Sequence, residues 1–90
     1  MKKPKDTFEL AAAVLESKNV YDVINEQSNE IAKLAIGMKQ YAAGVDKDGN
    51  IIKECIGDVY LAIMGLLLWF EVDPDETFRE LVEKHKNVLQ

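Results

Sequence analysis

Residues Lys53–Phe70, KECIGDVYLAIMGLLLWF, decide how this chain folds. From Val59 to Phe70 they run for twelve positions without a charge, and Glu54 and Asp58 stand four apart just before. A spacing of four puts both carboxylates on one face of a helix. A helix that is apolar on nearly all sides must be buried on nearly all sides. This segment is therefore expected to cross the middle of an assembly, with two acids near its N-terminal end.

The flanking sequence predicts three more helices. Upstream, apolar residues recur at Val20, Ile24, Ile31, Leu34, Met38 and Tyr41, with Gln27 filling the gap. That alternation of three and four predicts one long helix from Val20 to about Ala43, stopped by Gly44. Val45-Asp46-Lys47-Asp48-Gly49-Asn50 then reads as a polar turn, with Asn50 capping the central helix. It is not a calcium loop, because Gly57 stands at the twelfth position where a bidentate Glu is needed. Asp6-Thr7-Phe8-Glu9 is a capping box that starts the first helix, which runs to about Glu16 and buries Leu10, Val14 and some of the alanines. Ser17-Lys18-Asn19 ends it. Asp73-Pro74-Asp75-Glu76 starts the last helix, with a stripe of Phe78, Leu81, Val82, His85 and Val88 or Leu89. His85 is expected there as a packing residue.

Ninety residues make a single domain, 1–90, with residues 1–5 as a basic tail of Lys2, Lys3 and Lys5 around Pro4. A net charge of −5 argues against duplex nucleic acid as a partner. Cys55 is the only cysteine, so no intrachain disulfide forms and the thiol is expected to be buried and inert. The uncharged stretch falls short of the roughly 20 apolar residues of a membrane span, and Glu9 interrupts the apolar run after the basic start. A soluble cytoplasmic protein with no membrane partner is expected. Trp69, Phe70 and Leu66–Leu68 exceed what three flanking stripes can cover, so the all-α four-helix bundle is expected to be completed by homo-oligomerisation, as a homodimer or higher.

Two acidic pairs give the candidate chemistry: Glu26 with Glu30, and Glu54 with Asp58. On facing helices they would form an oxygen-rich site for Mg²⁺ or Mn²⁺, able to hold a polyphosphate and activate water. The plainer alternative is a set of solvated charges beside Lys33, Lys39 and Lys53.

The run Asn29-Glu30-Ile31-Ala32-Lys33-Leu34, ending in Tyr41 and Gly44, followed by Glu54-Cys55-Ile56-Gly57-Asp58-Val59, resembles the MazG-like family of all-α nucleoside triphosphate pyrophosphohydrolases. Members carry E-E-x-x-E on one helix and E-E-x-x-D on the next, and the resemblance spans about residues 20–89. It implies a MazG-like bundle, a dimer or tetramer, and Mg²⁺-dependent cleavage of nucleoside triphosphates to monophosphate and pyrophosphate.

The motif positions depart from that pattern. Aligned without gaps, Asn29 and Lys33 stand where glutamates are expected, Cys55 replaces a ligand Glu, and Ala43 replaces a phosphate-contacting Arg. Thiol is a poor ligand for a hard cation, and an ammonium repels one. Two functions follow. One is a weakly active or non-catalytic relative that binds a nucleotide or another protein, such as a regulatory or phage-encoded accessory protein, with no cofactor required. The other is an active enzyme in which Glu26, Glu30, Glu54 and Asp58 hold the metal, Glu30, Glu54 and Asp58 carry catalysis, and Lys33 or Lys39 contacts the phosphates.

Overall fold

Side chains and three left-handed residues set the boundaries of the helices. The computed structural model describes residues 3–16 and 18–89, which form four α-helices and a final 3-10 turn, with no strand among the described residues. Lys2, Ser17 and the side chain of Val20 lie outside the described residues. α1 (Thr7–Leu15) begins where the Glu9 amide donates to Asp6 Oδ1 at 2.9 Å and Glu9 reaches back to the Lys5 amide at 2.7 Å. α2 (Val20–Ala42) begins at Asn19, whose side chain accepts from the Asp22 amide. It ends on Gly44 at φ 78°, with Val45 N–H bonded to Gln40 O and Gly44 N–H to Tyr41 O. That is the Schellman pattern, which needs a left-handed residue after the cap.

α3 (Asn50–Trp69) starts differently from expectation. Its N-cap is Gly49, at φ 73°, and Asn50 is already helical. The capping oxygens come from Asp46, 5% exposed, which accepts from the amides of Ile51 at 3.3 Å and Ile52 at 3.0 Å. The turn thus folds back to satisfy two amides that Asn50, inside the helix, cannot reach. α3 closes with a second Schellman pattern, Val72 N–H to Leu67 O and Glu71 N–H to Leu68 O, built on Glu71 at φ 55°. α4 (Pro74–Lys84) follows Asp73, which caps the Asp75 amide, and lies bent by 108° from α3. His85 is the C-cap of α4, and Lys86–Leu89 form the 3-10 turn.

α1 and α2 both pack on α3. A Cβ built on Gly37 would meet Cys55, and one on Gly65 would meet Gln27, so α2 and α3 run antiparallel as a hairpin. Small residues set the closeness: Ala11, Ala62, Gly37 and Gly65 are buried where helices meet, with Val23 and Leu15 filling between them.

The burial pattern corrects several expectations. In α1 the buried residues are Ala11 and Leu15, while Leu10 and Val14 are exposed, because α1 meets α3 through its small-residue face. In α2 the inward residues are Val23, Gln27 and Gly37, while Ile24, Ile31, Met38 and Tyr41 are exposed. α3 is not enclosed within one chain, since Ile56, Tyr60 and Ile63 lie open along its outer side. α4 does not flank it: the helix buries no residue, and His85 is exposed. The chain exposes 7300 Å², against about 5,300 Å² for a compact monomer of 10.2 kDa. Its radius of gyration is 15.7 Å, against about 12 Å for a compact domain of this length. No single helix among the described residues is long and apolar enough to cross a membrane.

Candidate functional site

A cleft of about 640 Å³ opens where the three packed helices meet. Its apolar wall comes from Val14 and Leu15 of α1, Ile36 of α2 and Leu61 of α3. Its polar side is Glu26, Gln27, Asn29, Glu30 and Lys33 from α2 and Asp58 from α3. Helical register explains the grouping: positions 26, 29, 30 and 33 of α2 lie one turn apart on one side, as do 58, 61, 62 and 65 of α3.

Glu26, Glu30, Asp58 and Lys33 are therefore brought together, as the sequence suggests. Glu54 and Lys39 are not, and both are exposed outside the cleft. α1 covers the C-terminal half of α3, with Leu15 against Gly65, so the lining of α3 begins at Asp58 and Glu54 falls one turn beyond it. Lys39 likewise lies past Ile36, the last residue of α2 to reach the cleft. Cys55 turns toward α2 instead, where a Cβ on Gly37 would stand 3.4 Å from its Sγ.

The acids are already engaged. Lys18, from the loop between α1 and α2, is ion-paired with Glu26. Lys33 Nζ donates to Glu30 Oε1 at 3.3 Å. The other oxygen, Glu30 Oε2, is buried and has no hydrogen-bond partner. A buried carboxylate oxygen without a donor is costly, and it is what a cation or a ligand N–H would satisfy.

A resident divalent ion fits this set only in part. Glu30 Oε2 supplies a free hard oxygen, Asp58 a second carboxylate in the same cleft, and Gln27 a neutral amide. Yet among the described residues no three His, Cys, Asp or Glu side chains come close enough to hold a metal. Two of the cleft's carboxylates are already paired with ammonium groups, Glu26 with Lys18 and Glu30 with Lys33. What the arrangement can do unaided is receive a ligand that is apolar at one end and both donates and accepts hydrogen bonds at the other.

Gln27 and Lys18 are the site residues that sequence reasoning missed. Gln27 is 8% exposed, and its amide nitrogen would lie 3.7 Å from a Cβ on Gly65. Its signal was present, as a polar residue in the inward stripe of an otherwise apolar helix face. Lys18 gave none, because its pairing depends on how the loop after α1 turns. A scan against protein-family models, a search of curated proteins and a search of solved structures each find no match to this chain.

Proposed function

We propose that this protein is a MazG-like relative that keeps the acidic cleft as a binding site for a nucleotide or a protein segment, with pyrophosphohydrolase activity weak or lost, and acts as a homodimer. Glu30 carries the proposal: one carboxylate oxygen is bonded to Lys33 and the other is buried and unpartnered. The first oxygen is already neutralised by an internal ammonium, and the second is ready for a ligand.

The cleft allows a second register for the first motif. Glu26, Gln27 and Glu30 line it alongside Asn29 and Lys33, so E-E-x-x-E can be laid on Glu26-Gln27-Ser28-Asn29-Glu30 as well as on Asn29, Glu30 and Lys33. In the former register the lost carboxylates are at Gln27 and Cys55. Lys33 then follows the motif, and its ammonium lies where it can meet a phosphate or quench Glu30. The surplus of exposed surface, about 2,000 Å² over a compact monomer, supports the second copy.

Calorimetry with Mn²⁺ or Mg²⁺ and a non-hydrolysable triphosphate tests the proposal, with pyrophosphate release from a panel of nucleoside and deoxynucleoside triphosphates. Binding without turnover is expected. Gln27→Glu and Lys33→Glu, each at a cleft-lining position, are expected to gain turnover. No binding of ion or triphosphate would sink it.

A second reading is favoured by one observation, that Glu26, Glu30 and Asp58 line a single cleft. It is an active Mg²⁺-dependent pyrophosphohydrolase that releases nucleoside monophosphate. Turnover by the wild type, abolished in Asp58→Asn, would establish it.

A further inference from the structure

Two apolar surfaces of this chain are left without cover, and they differ in shape. The first is a stripe on one helix. In α4, Phe78, Leu81 and Val82 lie three and four apart on one side, and each is at least 40% exposed. The second is a broad face on the α2–α3 hairpin. Ile24, Ile31 and Met38 recur every seven residues on α2, and Ile56, Tyr60 and Ile63 repeat at four and three on α3. All six are exposed, at 40% or more. Both rows avoid the cleft-lining positions, since Ile31 and Lys33, or Tyr60 and Asp58, are two residues and so more than half a turn apart. The hairpin face therefore lies away from the cleft.

The chain does not bring its own α4 onto this face. Four residues, Phe70 to Asp73, join α3 to α4, and the Schellman bonds through Glu71 and Val72 fix the 108° bend. In this arrangement α4 buries nothing.

We propose that α4 is an exchange arm, which seats its Phe78–Leu81–Val82 stripe in the groove between α2 and α3 of a second copy, on the face opposite the cleft. One helix ridge entering the groove between two helices is ordinary ridge-into-groove packing. A two-fold pair makes this contact twice and covers both kinds of surface on both chains. Stacking hairpin on hairpin would cover the broad faces and leave both α4 stripes in water. The area agrees: about 2,000 Å² of surplus per chain matches the range of obligate dimers, which bury about 2,000–5,000 Å² in total. The proposal rests on the homodimer proposed above, and adds which element is exchanged and where it lands.

The test uses the full chain in a Cys55→Ala background. One sample carries Glu80→Cys, on the polar side of α4, with a nitroxide label and no isotope. It is mixed with an equimolar, ¹⁵N-labelled, cysteine-free copy, so that any amide broadening is between chains. Sedimentation equilibrium is expected to give twice the 10.2 kDa of one chain. Broadening is expected along Ile24–Met38 and Ile56–Ile63 of the ¹⁵N-labelled, nitroxide-free copy. Leu81→Glu is expected to raise the dimer dissociation constant at least tenfold while circular dichroism retains the helices. A monomer mass would overturn both the dimer and the exchange. A dimer mass with broadening absent from that face, or centred on α1 and the cleft, would overturn the exchange alone. Metal or triphosphate titrations report on the other side of the hairpin, so their failure would leave these readouts unaffected.

Discussion

Lys33 Nζ donates to Glu30 Oε1 across 3.3 Å, within a cleft that Asp58 also lines. The contact spans one turn of α2 and joins an exposed lysine to a mostly covered carboxylate. Such a pair is worth little to stability, because the lysine is largely solvated. Its consequence is electrostatic and local. The ammonium stands where an incoming cation would approach Glu30, and repulsion between them is reduced but not removed by solvent. Lys33→Ala is therefore expected to strengthen Mn²⁺ binding about tenfold, equivalent to about 1.4 kcal/mol, with little change in melting temperature. Calorimetry of the two proteins side by side reads the difference, and unchanged affinity would remove Lys33 as the competitor.

Asp58 and Glu54 separate the cleft from the sequence pattern. Both belong to the acidic pair on α3, but only Asp58 lines the cleft. Asp58→Asn is expected to weaken Mn²⁺ or Mn²⁺–triphosphate binding by about tenfold or more, as loss of one of two nearby charges requires. Glu54→Gln should leave it within about twofold. Equal losses from both variants would place the ligand further toward the 43–49 turn than the cleft allows.

How much of this was legible in the sequence depends on residue size. The four helices and most of their ends could be read from Asp6, Gly44, Asp73 and the apolar periodicity, since capping chemistry is local. The inward faces could not. Ile24, Ile31 and Met38 mark the side of α2 with the most apolar surface, yet Val23, Gln27 and Gly37 face α3. Close helix packing selects small residues, so Ala11, Gly37, Ala62 and Gly65 set the contacts, and the large residues are left for another surface. A burial ranking by hydrophobicity reverses that order. The cleft was legible in Glu26, Glu30 and Asp58 but not in Glu54 or Lys39, because only tertiary packing decides where α1 stops covering α3.

The start of α3 makes a stability prediction. Asp46 is buried and accepts from the amides of Ile51 and Ile52, while Asn50 caps nothing. Asp46→Ala leaves two helix-terminal amides without their acceptor and is expected to destabilise the fold by about 1–2 kcal/mol. Asn50→Ala should change stability by less than about 0.5 kcal/mol. Urea unfolding with fixed slopes measures both. A larger loss at Asn50 than at Asp46 would return the cap to the position the sequence suggested.

The two Schellman turns differ in one respect, and it is measurable. Gly44 closes α2 at φ 78° and Glu71 closes α3 at φ 55°, each followed by the same pair of backbone bonds. Glycine occupies the left-handed region freely, whereas a residue with a Cβ is strained there by about 1 kcal/mol. Glu71→Gly is thus expected to stabilise the chain by about 0.5–1 kcal/mol, and Gly44→Ala to destabilise it by about 1 kcal/mol, although a Cβ at Gly44 meets no atom within 4 Å. The opposite signs matter more than the sizes, because removing a side chain would otherwise be expected to cost stability. If Glu71→Gly instead loses stability, the Glu71 side chain makes a compensating contact in the assembled protein. That contact would lie at the root of α4, where the exchanged arm leaves its own chain.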